Sequence, residues 1–126
     1  MNKRRIIHAF DAGSPAALAV AGLAGRFHAW RGKSGRRYLM TVHDARSAPA
    51  YGGGAIVVLA RREADGTRVA VWAGRSPASA LALARLARMK GAGEVHLHLT
   101  AVGKAARAAV EADLATAMDV GQPALP

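Results

Sequence analysis

The sequence predicts an α+β fold, a small antiparallel or mixed β-sheet flanked by helices, and three observations carry that prediction. Two pairs of strand-like runs are each joined by a turn signal, Gly32-Lys33-Ser34-Gly35 in the first and Asp65-Gly66 in the second. Val95-His96-Leu97-His98-Leu99-Thr100 alternates as a half-buried strand does. Two apolar stripes at helical spacing lie one on each side of that strand.

With 126 residues the chain suffices for one domain with one core. Hydrophobic residues make up 52% of it, but many are Ala, so Leu, Val, Ile, Trp and Met must supply most of the buried area. Lys and Arg number 18 against 8 Asp and Glu, a formal net charge of +10. Such an excess favours a polyanion, nucleic acid before an anionic membrane, because each cation near a phosphate releases a condensed counterion. There is no Cys, which excludes disulfides, thiolate metal sites and cysteine nucleophiles. Met1-Asn2-Lys3-Arg4-Arg5 resembles the start of a signal peptide, but His8 and Asp11 interrupt the apolar run after it, and a cytoplasmic protein is expected. The apolar stretch from Ala16 to Ala24 is about half of what a membrane span needs.

Taken in order, residues 1–12 read as a flexible basic arm, 13–120 as a single domain and 121–126 as a tail. Ser14-Pro15 provides a cap and a first-turn proline for a short helix over Ala16–Ala24. The first hairpin runs from Arg26–Trp30 to Arg37–His43, with Tyr38, Met40 and Val42 on one face. Asp44–Gly54, with Pro49 and three consecutive glycines, is a loop. Ala55–Ala60 is apolar throughout, the pattern of a strand covered on both faces, and pairs with Arg68–Gly74. Ser76-Pro77 then opens a helix to Lys90, with Ala82, Leu83, Leu86 and Met89 as its buried stripe and Gly91 as its stop. A last helix over Lys104–Met118 buries Val110, Leu114 and Ala117.

Gly32-Lys33-Ser34 is not a phosphate-binding loop, because Phe27 stands where that pattern needs Gly and a strand follows it rather than a helix. Lys33, Arg36 and Arg37 read instead as a basic contact point on the hairpin tip. His96 and His98 share one face, but Glu94 would sit roughly 13 Å from His98 along the strand, so packed or solvent-facing histidines are expected and no metal site. Glu111 falls at the shoulder of the Val110-Leu114 stripe. It either looks toward the sheet or pairs with Arg107 one turn before it.

The order of elements resembles the GIY-YIG nuclease superfamily over roughly residues 52–118. Ala55-Ile56-Val57 stands at the first motif, Trp72-Ala73-Gly74 at the second, and Glu111 at the metal-binding acid. The Gly32 to Tyr38 turn is similar to an extension in some small bacterial members. Three reactive positions depart from the family pattern. Val57 stands where the first tyrosine is expected and cannot move a proton. Trp72 replaces the second tyrosine, and Ala82 takes the place of the helical arginine, with Arg85 almost one turn late.

The resemblance therefore implies a GIY-YIG-like core, preceded by a helix and a hairpin, that keeps the scaffold without the reaction. The expected function is nucleic-acid binding through Lys33, Arg36, Arg37, Arg61, Arg62, Arg75, Arg85 and Arg88, with no cofactor. One alternative is a divergent nuclease using Glu111, Arg85 and a Mg ion. Another is an interaction subunit with an acidic protein partner, anchored by Trp30, Trp72 or Leu39.

Overall fold

Two hairpins, a short first strand and a late strand build one sheet. The structure, a computed structural model, describes residues 11–13, 24–50 and 54–121. Its elements are β1 (Asp11–Gly13), a 3-10 turn (Ala24–Arg26), β2 (Phe27–Arg31), β3 (Arg37–Asp44), β4 (Ile56–Arg62), β5 (Arg68–Arg75), α1 (Ala80–Met89), β6 (Glu94–His98) and α2 (Lys104–Gly121). The α+β architecture is thus as the sequence predicts. The strands are antiparallel throughout, in the order β1-β2-β3-β6-β4-β5.

Alternate residues of each strand face opposite sides of the sheet, so two cores form. On the outer face Val57, Leu59, Val95 and Leu97 pack under Leu83 and Ala87 of α1. On the inner face Trp30, Tyr38, Met40, Ile56 and Val58 pack against Val110 and Leu114 of α2. The sheet curls around that inner face. Four strand spacings separate β2 from β5, roughly 19 Å in a flat sheet. Yet Arg68 Nη1 of β5 lies 3.2 Å from His28 Nδ1 of β2, and β1 lies against β5.

Several boundaries move. Asp11, expected in the basic arm, belongs to β1, whose backbone pairs with Trp30 and Ala29. The expected helix over Ala16–Ala24 lies outside the described residues except for Ala24, which opens the 3-10 turn. The helix expected to start at Ser76-Pro77 starts later. Ser76 N–H still donates at 2.8 Å to Ala55 O, just before β4, and Ser79, extended at φ −114° and ψ 153°, is the cap that accepts from Ala82 N–H. Gly91, at φ +72°, ends the helix where the sequence expects.

Met89 was expected on the buried stripe of that helix but is 78% exposed, because Ala87 rather than Met89 completes the stripe with Leu83 and Leu86. β6, expected half-buried, is covered on both faces, because Val95 and Leu97 lie under α1 on the outer face while His96 and His98 are enclosed on the curled inner one. Between β4 and β5 the register slips by one residue, leaving Val71 as a bulge and turning Trp72 to the outer face beside Leu59.

Candidate nucleic-acid interface

The first hairpin tip is held by an acid the sequence did not single out. Asp113 of α2 accepts three hydrogen bonds: from Ser34 N–H at 2.8 Å, from the Ser34 hydroxyl at 2.6 Å and from the Tyr38 hydroxyl at 2.6 Å. Lys33 N–H adds a bond to the Asp113 carbonyl at 3.1 Å. Burial works against ionisation of Asp113, but the bonds from Ser34 and Tyr38 outweigh it and hold its carboxyl below the usual range. Burial, and then the Asp113 bond, raises the Tyr38 phenol.

Gly32 is required there, since a Cβ on it would run into the Asp113 carboxylate. The tip is therefore a fixed platform for Lys33, Arg36 and Arg37. Asp113→Ala should release it at a cost of about 1–3 kcal/mol and speed amide exchange at Ser34 and Gly35, measured by hydrogen exchange. Unchanged exchange would mean that the turn holds itself.

Glu111 does look toward the sheet. It accepts from Arg75 Nε at 3.0 Å rather than pairing with Arg107. Arg85 lies on α1, across the sheet on the outer face, so Glu111 and Arg85 do not meet. Val57 is fully buried beneath α1. Trp72 is also on the outer face, and its ring leaves no room for a side chain at Gly74, whose Cβ would lie 2.8 Å from it. The Trp72-Ala73-Gly74 pattern thus has a packing reason of its own.

The basic residues divide by whether an acid already holds them. Arg61 pairs with Glu63, Arg62 with Glu94 and Arg75 with Glu111. Among the described residues Lys33, Arg36, Arg37, Arg85 and Arg88 have no carboxylate within ion-pair distance. Arg85 and Arg88 line an open groove of about 740 Å3, floored by Ala45, Ala84 and Ala92. Across the groove Asp44 is held by Arg46 at 3.0 Å, a contact that keeps its pKa down at about 2, so the acid is already neutralised by a partner. Arg37 begins β3 and Asp44 ends it, which puts the hairpin tip and the groove at opposite ends of the strand, roughly 23 Å apart.

A second polar cluster, not legible as a unit in the sequence, lies on the curled inner face. Trp30 Nε1–H donates to His96 Nδ1 at 2.9 Å. Because indole only donates, His96 is neutral with its proton on Nε2, from which it donates to Glu94 Oε1 at 2.9 Å. Arg68 Nε donates to the same oxygen at 2.8 Å, and Arg62 lies 3.3 Å from the other. Arg68 also donates to His28 Nδ1.

His98 lies further along β6, where Nδ1–H donates to Leu39 O and Nε2 accepts from the Thr100 hydroxyl. Of the two placements the sequence allows, both β6 histidines are thus packed, each held by one near neighbour, Glu94 or Thr100, and by one distant residue, Trp30 or Leu39. Among the described residues no three His, Asp or Glu side chains form a group able to hold a metal ion. Among the same residues no helix is long and apolar enough to cross a membrane. No family model, curated protein or solved structure matches the chain.

Proposed function

We propose that this chain is a catalytically inactive domain, similar in element order to the GIY-YIG nucleases, that binds nucleic acid through phosphate contacts. The observation that carries this reading is the pair Arg85 and Arg88, lining an open groove without a carboxylate partner among the described residues, in a chain of net charge +10. Unpaired guanidiniums on a fixed helix are suited to phosphate oxygens, and such contacts position a backbone without reading sequence. The separation of groove and hairpin tip corresponds to about two thirds of a duplex turn, so one ligand could touch both. Arg61, Arg62 and Arg75 contribute less, because Glu63, Glu94 and Glu111 already hold them. A cytoplasmic location suits such a ligand.

The nuclease alternative needs Glu111 and Arg85 at one site. The Arg75 contact and the placement of the two helices on opposite faces argue against it. Binding without reaction requires neither Mg nor any other cofactor.

Anisotropy of a labelled duplex, titrated at about 50 to 200 mM salt, tests the reading. The wild type should bind with little sequence preference and a log-log salt slope of about −0.9 for each phosphate neutralised. Arg85→Ala with Arg88→Ala should lower the magnitude of that slope by about 2. No binding at low salt, or a slope unmoved by the double substitution, sinks the proposal. Capture of an acidic protein in place of nucleic acid would do the same.

A further inference from the structure

We propose that Arg31 and Arg37 form a phosphate clamp at the base of the first hairpin tip. The two residues are direct cross-strand partners, so their side chains leave the same face of the sheet. That face is the outer one, opposite Trp30 and Tyr38. Two guanidiniums side by side repel each other, and among the described residues no carboxylate lies within ion-pair distance of either. A sheet normally sets an acid or a neutral residue opposite an arginine.

The second observation is independent of charge. Arg31 Nε is buried and has no hydrogen-bond acceptor, alone in this among the buried side-chain nitrogens and oxygens of the described residues. A buried donor without an acceptor is costly and uncommon. An oxyanion that draws the guanidinium outward gives Nε the bond it lacks, and at the same time screens Arg31 from Arg37. Lys33 and Arg36 stand on the adjoining turn, closed by Gly32 N–H to Arg36 O at 2.9 Å and Gly35 N–H to Gly32 O at 3.0 Å. With Asp113 anchoring that turn, little ordering remains to oppose binding.

The ligand is a phosphodiester. That identification rests on the nucleic-acid reading, and Arg31 is a contact that reading does not include.

The test uses the full chain and two probes. Inorganic phosphate, titrated against chloride at equal ionic strength, should shift the Arg31 Nε–H resonance saturably, and chloride should not. Arg37→Gln should abolish the saturation. Both Arg31→Gln and Arg37→Gln should unfold at or above the wild-type temperature, because each relieves a repulsion. With the labelled duplex each substitution should weaken binding and lower the magnitude of the salt slope by about 1.

A resonance that phosphate leaves unmoved, or that still saturates in Arg37→Gln, overturns the clamp. Duplex binding with an unchanged slope in both variants also overturns it as a phosphodiester site, while leaving the groove reading intact. A saturable phosphate response in a chain that binds no duplex supports the clamp as an oxyanion site and removes the nucleic-acid function.

Discussion

Glu94→Ala should destabilise the fold by about 3–5 kcal/mol, the cost of stranding a buried charge by removing its partner. Glu94 is where three donors meet: Arg68 and His96 on one oxygen and Arg62 on the other. The Arg68 side chain is only 9% exposed, so the loss leaves a guanidinium inside the curled sheet with His28 as its remaining partner here. Urea titration should give a lower midpoint with an unchanged slope, and thermal melting a fall on the order of 10–20 °C. Adding Arg68→Met should recover much of the loss, because an apolar side chain of similar length needs no counter-charge. If Glu94→Ala alone costs under about 1 kcal/mol, water reaches Arg68 and the cluster is not the sealed unit described.

Acidification should act on the same cluster twice. Burial opposes ionisation of Glu94, yet the bonds from His96 and Arg68 prevail and hold its pKa at about 2, down from 4.5. A carboxyl with a depressed folded-state pKa contributes stability that is fully present above the unfolded value and is lost as pH falls through the folded one. The Glu94 contribution, on the order of 3 kcal/mol, should therefore disappear between about pH 4.5 and 2. His96 has the same sign. Burial lowers its pKa below 6.5 in spite of Glu94, and a proton on Nδ1 would meet the Trp30 N–H head-on. Its share of stability is present above pH 6.5 and is lost on the acid side.

Unfolding free energy measured from about pH 7 downward should fall in both windows. His96→Gln should shrink the upper one, leaving the share of His43, whose pKa burial also lowers, and should narrow the lower one, because Glu94 loses one of the bonds that hold its pKa down. A stability flat across both windows would contradict the hydrogen bonding assigned to the cluster.

Much of the fold was legible because its signals are local. Asp65-Gly66 and Gly32 to Gly35 announced both hairpins, and the period of Val95 to His98 announced a strand whose faces differ. What alternation could not show was that the polar face of β6 is also inside. A histidine reads as outward until Trp30, 66 positions away, and Glu94, two away, are seen to satisfy it. The role of Asp113 is illegible for a similar reason. Its partners Ser34 and Tyr38 lie 79 and 75 positions upstream, and nothing in Glu111-Ala112-Asp113 tells which acid meets the hairpin. Ser76-Pro77 misleads because a good cap sequence is still tied down through Ser76, a constraint set by Ala55, the residue that leads into β4. Among the basic residues, charge was legible and its neutralisation was not. Only the folded chain separates Arg75, held by Glu111, from Arg85 and Arg88.

The placement of β6 also governs how the two hairpins are joined. Among the described strands it is the last in chain order, and it joins β3 to β4. Without residues 94–98 the facing edges of β3 and β4 would each be left with unmet amides. Five residues, Glu94–His98, close both edges at once. They also carry in the imidazole and the carboxylate around which Trp30 and Arg68 settle. Pairing of the two hairpins into one sheet thus depends on a five-residue strand that follows both of them in the chain, a non-local closure of the kind that raises contact order.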